Sequence, residues 1–181
     1  AINGEGIVLN GYYCGNGTAD FRWQEGELYL DEFILGQAPM QIRSQGKISA
    51  AQVLDVDVEA ENFPLAALEQ LLKRYWPKQK IFGKISGILT GHGRLGGSFR
   101  EPTFEGSLSV DQPKIAGFTV DRITGDLSWI KGNLAFDEML VSRGQEELTV
   151  YGKVDWSGAK PYLDLGVKME EAGLADLLLV T

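Results

Sequence analysis

Residues 85–99 read ISGILTGHGRLGGSF, and this stretch decides the fold class. Every second residue from Ile85 onward is apolar or glycine, whereas the residues between them are mostly polar. A period of two is typical of a β-strand with one face turned towards apolar surroundings. The same alternation returns in residues 103–110, 123–129, 148–156 and 162–169. We therefore predict a mainly β protein built from half-buried antiparallel strands.

Glycine is unusually frequent, with 23 among 181 residues, and many glycines lie on the apolar side of these strands. Glycine inside a strand marks a bulge, a bend or the close approach of another backbone. A sheet packed flat on a second sheet would need larger side chains to fill the layer between them. The pattern therefore predicts a long, strongly curled antiparallel sheet. Two interpretations stay open: a tight curve around a filled core, or a taco-like trough with an apolar interior.

The chain repeats itself at an offset of 106 residues. Residues 23–33, WQEGELYLDEF, align with residues 129–139, WIKGNLAFDEM, and a short insertion later raises the offset to 109. We divide the chain into a partial first β-repeat over residues 1–76 and a second β-repeat over residues 77–181, continuous as one elongated unit. Each repeat is predicted to end in a short amphipathic helix, at residues 64–75 and 172–180.

Two acidic pairs recur at the repeat offset, Asp31–Glu32 and Asp137–Glu138. Paired carboxylates can serve acid–base catalysis or bind Ca²⁺. Their place in the middle of an alternating run favours a β-bulge instead. Three Asn-Gly pairs, at residues 3–4, 10–11 and 16–17, are predicted to form hairpin turns.

Composition excludes several classes of function. A formal net charge of −8 argues against nucleic-acid binding driven by bulk charge. The single cysteine, Cys14, can form no internal disulfide. The chain begins without Met inside a strand-like pattern, with no leader and no membrane-spanning segment, so we expect it to be part of a longer protein.

Two possible catalytic or cofactor signals occur in the same strand. Residues 91–96 match G-x-G-x-x-G, with Asp111 downstream, but a dinucleotide site needs a following helix and this sequence continues as strand. His92 is the sole histidine and falls on the polar side, without a second ligand or a nucleophile near it in sequence. We therefore expect that the protein is not an enzyme and that it binds neither a cofactor nor a metal.

One basic patch interleaved with aromatic residues follows the first predicted helix. Its positive charge could contact lipid headgroups or nucleic acid, although a helix C-terminus also favours such charges. We favour the helix-terminus interpretation. The patch comprises Lys73, Arg74, Tyr75, Trp76, Lys78, Lys80, Phe82 and Lys84.

Residues 82–110, FGKISGILTGHGRLGGSFREPTFEGSLSV, resemble a recurrent pattern of AsmA-like proteins, closest to the TamB (translocation and assembly module) group. In that pattern a Gly-x-Leu-x-Gly run precedes a Pro and a second alternating strand, and the likeness spans nearly the whole chain. The resemblance implies a periplasmic protein of a diderm bacterium, anchored in the inner membrane, whose trough conducts phospholipid towards the outer membrane. It also implies a BamA-family outer-membrane barrel, TamA-like, as a partner through regions outside this chain.

The resemblance and the alternation together predict which side chains line the trough and contact phospholipid acyl chains. In the first repeat these are Leu28, Leu30, Ile42, Leu54, Val56 and Val58. In the second they are Ile85, Leu89, Leu95, Phe99, Phe104, Leu108, Val110, Ile123, Leu127, Trp129, Leu134, Phe136, Leu148, Val150, Val154, Leu163, Leu165 and Val167. No nucleic-acid partner is expected.

Two other functions compete with lipid conduction. An exposed strand edge could assist outer-membrane β-barrel assembly by strand augmentation. A transmembrane β-barrel also shows alternating strands, but the two predicted helices between strand runs argue against it.

Overall fold

The computed structural model describes residues 1–9, 11–67, 86–115, 117–155 and 162–169. Within them the chain forms twelve β-strands. The strands are β1 Ile2–Leu9, β2 Tyr12–Gln24, β3 Glu27–Gln37, β4 Met40–Ile48, β5 Val53–Pro64, β6 Ser86–Ser98, β7 Pro102–Ile115, β8 Phe118–Thr119, β9 Arg122–Ile130, β10 Asn133–Arg143, β11 Glu146–Asp155 and β12 Tyr162–Met169.

All twelve strands belong to one antiparallel sheet, whose order follows the chain, except that β8 pairs only with β7. The prediction of a mainly β protein with one antiparallel sheet is therefore confirmed. The sheet is open, with β1 at one edge and β12 at the other. Among the described residues, strand contacts are made almost entirely between sheet neighbours, so no second sheet covers either face.

The predicted helices contribute little to the described fold. Residues 65–67 form a helical turn directly after β5. The rest of the predicted helix over residues 64–75, the whole predicted helix over residues 172–180 and the basic patch lie outside the described residues. The described part of the chain contains no helix with the length and hydropathy needed to cross a bilayer.

The internal repeat is present in three dimensions. The turn between β2 and β3 has positive φ at Glu25 (53°) and Gly26 (81°), and the turn between β9 and β10 has nearly the same values at Lys131 (51°) and Gly132 (82°). Two successive residues with positive φ form the primed turn that matches the right-handed twist of a hairpin. The strands that follow these turns, β3–β4 and β10–β11, are therefore equivalent elements of the repeat.

Both recurring acidic pairs lie at β-bulges, as predicted. The pairing of β3 with β4 shifts register between Leu30 and Phe33, and the pairing of β10 with β11 shifts between Phe136 and Met139. Each shift places two acidic residues opposite one residue of the partner strand, which bends the strand and increases its twist. The bulges thus recur at the same place in both repeats.

Two of the three predicted Asn-Gly turns are wrong. Residues 3–4 lie within β1 and residues 16–17 lie within β2, where Gly4 pairs with Gly17. A side chain at Gly17 would collide with Ile7 Cδ1, 2.7 Å from the position of its Cβ, so glycine makes room for the isoleucine. The remaining Asn-Gly pair, residues 10–11, stands between Leu9 and Tyr12, the last paired residues of β1 and β2, and its Asn10 lies outside the described residues.

The sheet curls because the backbones of neighbouring strands approach each other closely at its glycines. A Cβ on Gly91 would lie 2.5 Å from the Ser107 carbonyl oxygen and 3.0 Å from Leu108 Cα. Curling allows a single sheet to bury side chains without a second layer: Phe63 is fully buried, and Trp129 keeps 9% of its surface exposed. The curled sheet predicted from the glycine content agrees with these features.

Two buried clusters lie at different places in the sheet. The first contains Cys14, Leu35, Ala60, Phe63 and Ala67, so it gathers β2, β3, β5 and the helical turn. The second is smaller and is built from β9 and β11. Its buried members are Trp129 and Val154, with Phe104, Leu134 and Phe136 packed against them.

Candidate functional site: the apolar face of the sheet

The candidate site is one face of the sheet, which we call the apolar face. Residues directly opposite each other in antiparallel strands point to the same side, so the register assigns each side chain to a face. Following the register from strand to strand gives rows of side chains that run across the sheet. On the apolar face these rows consist of apolar residues and glycine, apart from Ser44 and, at two hairpin ends, Gln37 and the Arg143–Glu146 pair.

One row crosses every strand except β8. It contains only apolar residues and glycine, so a continuous apolar row passes from the first repeat into the second, and its members Leu35 and Ala60 are buried in the first cluster. The row runs Gly4, Gly17, Leu35, Ile42, Ala60, Gly91, Leu108, Gly125, Met139, Val150 and Val167.

A second row runs parallel to the first from β2 to β12. It has larger side chains, including two of the aromatic residues that form the second buried cluster. The row runs Phe21, Leu30, Gly46, Val56, Leu95, Phe104, Trp129, Leu134, Val154 and Leu163.

The residues predicted to line a trough lie on the apolar face, with two exceptions. Phe99 follows the last residue of β6 and lies in a bend, where 46% of its surface is exposed. Ile85 lies outside the described residues. The structure thus brings the other predicted residues onto one surface, and their contact with lipid stays a prediction.

Apolar-face residues beyond the bulges were missed, because each bulge changes the phase of the alternation. Leu35 on β3 and Met139 and Val141 on β10 lie on the apolar face, after their strands' extra residue. Phe63 follows a similar shift in β5 and packs in the first buried cluster. The signal that could have revealed the first three is the recurring acidic pair, at which the period of two restarts.

Most side chains of the apolar face are half-buried. Leu30, Leu108, Leu127 and Val150 are intermediate in exposure, unlike fully packed core residues such as Phe63. A sheet packed against a second layer would bury nearly all of these positions. The apolar face therefore has room at its surface for further apolar atoms.

The glycines themselves do not keep this face hollow. The space beside Gly93 is taken by the Phe104 ring, whose Cζ lies 2.5 Å from the position that a Cβ would occupy. A Cβ on Gly106 would also meet that ring, at 3.0 Å. At Gly91 the neighbouring backbone fills the space. Glycine thus sets the curvature of the sheet, and the half-buried large side chains form the accessible surface.

The opposite face is polar and carries cross-strand ion pairs. Arg94 contacts Asp55 through Nε at 2.7 Å and Nη2 at 2.5 Å, and this carboxylate raises the pKa of Arg94. Arg122 Nε lies 2.6 Å from Asp111 Oδ1. These pairs are exposed, so each adds little to stability. They show that this face is adapted to water, in contrast to the apolar face.

His92 lies on the polar face, opposite Glu59 on β5 and Ser107 on β7. Ser107 Oγ donates a hydrogen bond to Asp126, so serine stands between histidine and aspartate. A catalytic triad needs the histidine in the middle, and this arrangement does not provide it. A shallow depression of the polar face includes these residues, with neighbouring threonines and serines along its walls.

The glycine motif of residues 91–96 lies wholly within β6, which pairs with β5 and β7. The prediction that this motif continues as strand is confirmed, so no helix begins within it to place an N-terminus at a pyrophosphate. The acidic pairs hold no cluster either: in the described part of the chain, no three His, Cys, Asp or Glu residues come together as metal ligands. Cys14 is buried in the first cluster.

No protein-family model, no curated protein and no solved structure matches the chain.

Proposed function

We propose that the apolar face binds the acyl chains of phospholipids and conducts them along the sheet, as a segment of an envelope-spanning protein. The observation that carries the proposal is the uninterrupted row of apolar residues and glycine from Gly4 on β1 to Val167 on β12. Residues of this row such as Leu108 and Val150 are half-buried, so an acyl chain could still cover them.

The energetics favour a continuous path. Keeping one methylene out of water is worth about 0.8 kcal/mol, so a chain of about fifteen carbons costs on the order of 12 kcal/mol to expose. Such a molecule crosses an aqueous gap rapidly only when its tails stay covered. Because the two repeats present equivalent strands, positions one repeat apart on the face should offer similar affinity, so that neither repeat holds the lipid much more tightly than the other.

The charge distribution agrees with this role. Charged side chains with cross-strand partners, such as Arg94, Arg122 and Lys153, lie on the polar face. The apolar face contains no charged residue in its two long rows among the described strands. An acyl chain would therefore meet no desolvated charge on its way.

Two substitutions at neighbouring positions test the proposal. Leu108→Arg puts a charge on the apolar face, whereas Ser107→Arg puts the same side chain on the polar face. We expect the unchanged protein to carry phospholipid after gentle extraction, and Leu108→Arg to lower that amount at least about tenfold, because a charge in an apolar site costs several kcal/mol. Ser107→Arg should keep most of the lipid. Quantitative mass spectrometry of extracted lipid measures both.

Circular dichroism must show that both variants keep the sheet. Absence of lipid from the unchanged protein, or an equal loss in the two variants, would contradict lipid binding by the apolar face.

A further inference from the structure

The strands β5 and β12 occupy the same position in the repeat. Each pairs with the strand before it in an equivalent register: Gly46 opposes Val56 on β5, and Gly152 opposes Leu165 on β12. Gly46 and Gly152 share a positive φ, 151° and 138°, and at both positions a Cβ would collide with the following strand. The pairing of β5 with β4 and the pairing of β12 with β11 are therefore built alike.

The two strands differ at their other edge, which faces away from the preceding strand. β5 pairs with β6, whereas β12 has no second neighbour in the described part of the chain. Leu54 is 8% exposed in β5, and its counterpart Leu163 is 55% exposed in β12. The same contrast separates Val56, at 7%, from Leu165, at 46%. We attribute this difference to β6, the neighbour that β5 has and that β12 lacks in the described part of the chain.

The opposite edge of the sheet lacks the same neighbour. β1 is the counterpart of the second half of β7, because Ile2 opposes Ala19 as Leu108 opposes Gly125. β7 pairs with β6, whereas β1 has only β2 beside it among the described strands. In the middle of the sheet, β6 lies between β5 and β7, which are the counterparts of β12 and β1. Among the described strands, a strand of the β6 type is therefore missing beside both edge strands.

β12 is the edge better suited to accept a strand. Exposed edges are commonly protected by bulges, prolines or inward-pointing charges. The pairing of β1 with β2 shifts register twice, whereas the pairing of β12 with β11 is regular throughout. β12 contains no proline, and its apolar-face residues Leu163, Leu165 and Val167 are uncharged and exposed.

We propose that β12 binds, in antiparallel orientation, a strand of the β6 type supplied by a further copy of this repeat unit. The register of β5 with β6 gives the expected pairs: a leucine opposite Leu165, as Leu95 opposes Val56, and a glycine opposite Val167. An arginine equivalent to Arg94 would reach Asp164, the counterpart of Asp55. This inference rests on the geometry of the repeat and does not depend on lipid conduction.

A synthetic peptide of residues 86–98, SGILTGHGRLGGS, tests the proposal directly. We expect saturable binding of the fluorescently labelled peptide to the intact protein, measured by anisotropy. A photo-reactive group at the peptide's Leu95 position should crosslink to β12. A peptide with methylated backbone nitrogens should not bind, because strand addition depends on main-chain hydrogen bonds.

A charge exchange gives the specific control. Asp164 is exposed, with 62% of its side chain accessible, and its ion pair with Lys153 on β11 is exposed as well. Asp164→Lys replaces that pair by two exposed like charges, which should lower stability only slightly and leave the fold intact. It should weaken binding of the unchanged peptide about two- to fivefold, the range expected for an exposed ion pair. A peptide carrying Arg94→Glu should bind the Asp164→Lys protein better than it binds the unchanged protein.

Three results would overturn the proposal: no binding at millimolar peptide, crosslinks only outside β12, or equal binding of a scrambled peptide. Equal binding of an unrelated amphipathic strand from an outer-membrane barrel would also overturn it, in favour of general strand augmentation. None of these results affects the lipid measurements on Leu108→Arg, so the two proposals can fail separately.

Discussion

Gly152 illustrates how single residues shape this sheet. Its φ of 138° is one that residues with a side chain rarely adopt, and a Cβ there would collide with the Asp164 carbonyl oxygen and lie 3.0 Å from Leu165 Cα. Neither backbone atom can move without disturbing the pairing of β11 with β12. Glycine at this position is thus required by the neighbouring strand.

We therefore expect Gly152→Ala to lower the free energy of unfolding by about 1–3 kcal/mol, the range for a strained backbone position. Gly166→Ala is the matched control, since the group nearest its added methyl would be the ring of Tyr151, an exposed side chain that can rotate away. The control should cost less than about 1 kcal/mol. Urea unfolding followed by circular dichroism measures both, and equal losses would contradict the backbone role of Gly152.

Tyr29 gives a pH-dependent prediction at the same scale. Its hydroxyl donates a 2.9 Å hydrogen bond to Glu27 Oε2, and this bond and the carboxylate charge raise the pKa of Tyr29 above 10.0. A raised pKa means that the folded state holds the proton more tightly than the unfolded state does. The resulting stabilisation is fully present below pH 10.0 and is lost as the pH rises through the folded-state pKa.

Tyr29→Phe should accordingly lower the urea midpoint at pH 8, and the difference from the unchanged protein should shrink at strongly alkaline pH. The Arg22 guanidinium, 4.8 Å from the ring centroid, keeps an aromatic partner in this variant. In a Glu27→Gln background the effect of Tyr29→Phe should lose its pH dependence. A constant difference across this pH range would show that the hydrogen bond does not couple to stability.

At the scale of whole elements, the features that depend on local sequence patterns were predicted correctly. Alternation predicted the strands, the repeated Trp-x-x-Gly-x-Leu segment predicted equivalent elements, and the acidic pairs predicted the bulges. Positions such as Leu35 and Met139 were missed because one extra residue reverses the alternation after the bulge. The Asn-Gly pair at residues 3–4 was assigned wrongly because long-range pairing of β1 with β2 outweighed its local turn preference.

The bulge in β10 predicts how deletions act. Removing Asp137 leaves one residue opposite one residue, so Met139 should still oppose Val150 on the apolar face. Removing both Asp137 and Glu138 shifts the register and turns Met139 to the polar face. We expect the single deletion to fold with reduced stability, and the double deletion to lose cooperative urea unfolding. If the double deletion were the more stable variant, the assigned register would be wrong.

The candidate site could be predicted only in part. The facing of Leu54, Leu108 and Val150 follows from alternation alone, but their exposure depends on how the sheet curls and which strands neighbour it. Local sequence patterns determine neither the curl of the sheet nor the identity of the neighbouring strands, because both depend on contacts between residues far apart along the chain. Leu54 and Leu163 hold the same position in the two repeats, yet Leu54 is buried and Leu163 is exposed. The surroundings of this position therefore determine its exposure.

At the scale of the whole molecule, lipid conduction requires an apolar face that stays continuous and accessible across both repeats. Apolar rows cross the sheet, and strand contacts among the described residues are made almost entirely between sheet neighbours, so the curled sheet itself forms the walls of the path. The two buried clusters cover the rows at Leu35 and Ala60 and at Trp129 and Val154, so the accessible path lies over and between them.

The most direct test is a photo-crosslinking scan of β11 with phospholipid, replacing one residue at a time from Leu148 to Tyr151, and then Lys153, by a photo-reactive amino acid. Gly152 is left unchanged because a side chain there would collide with β12. The account predicts labelling with a period of two: strong at Leu148 and Val150, and weak at Thr149, Tyr151 and Lys153. Mass spectrometry of the crosslinked lipid measures the yield at each position. Uniform labelling, labelling of the polar face, or none at Leu148 and Val150 would contradict it.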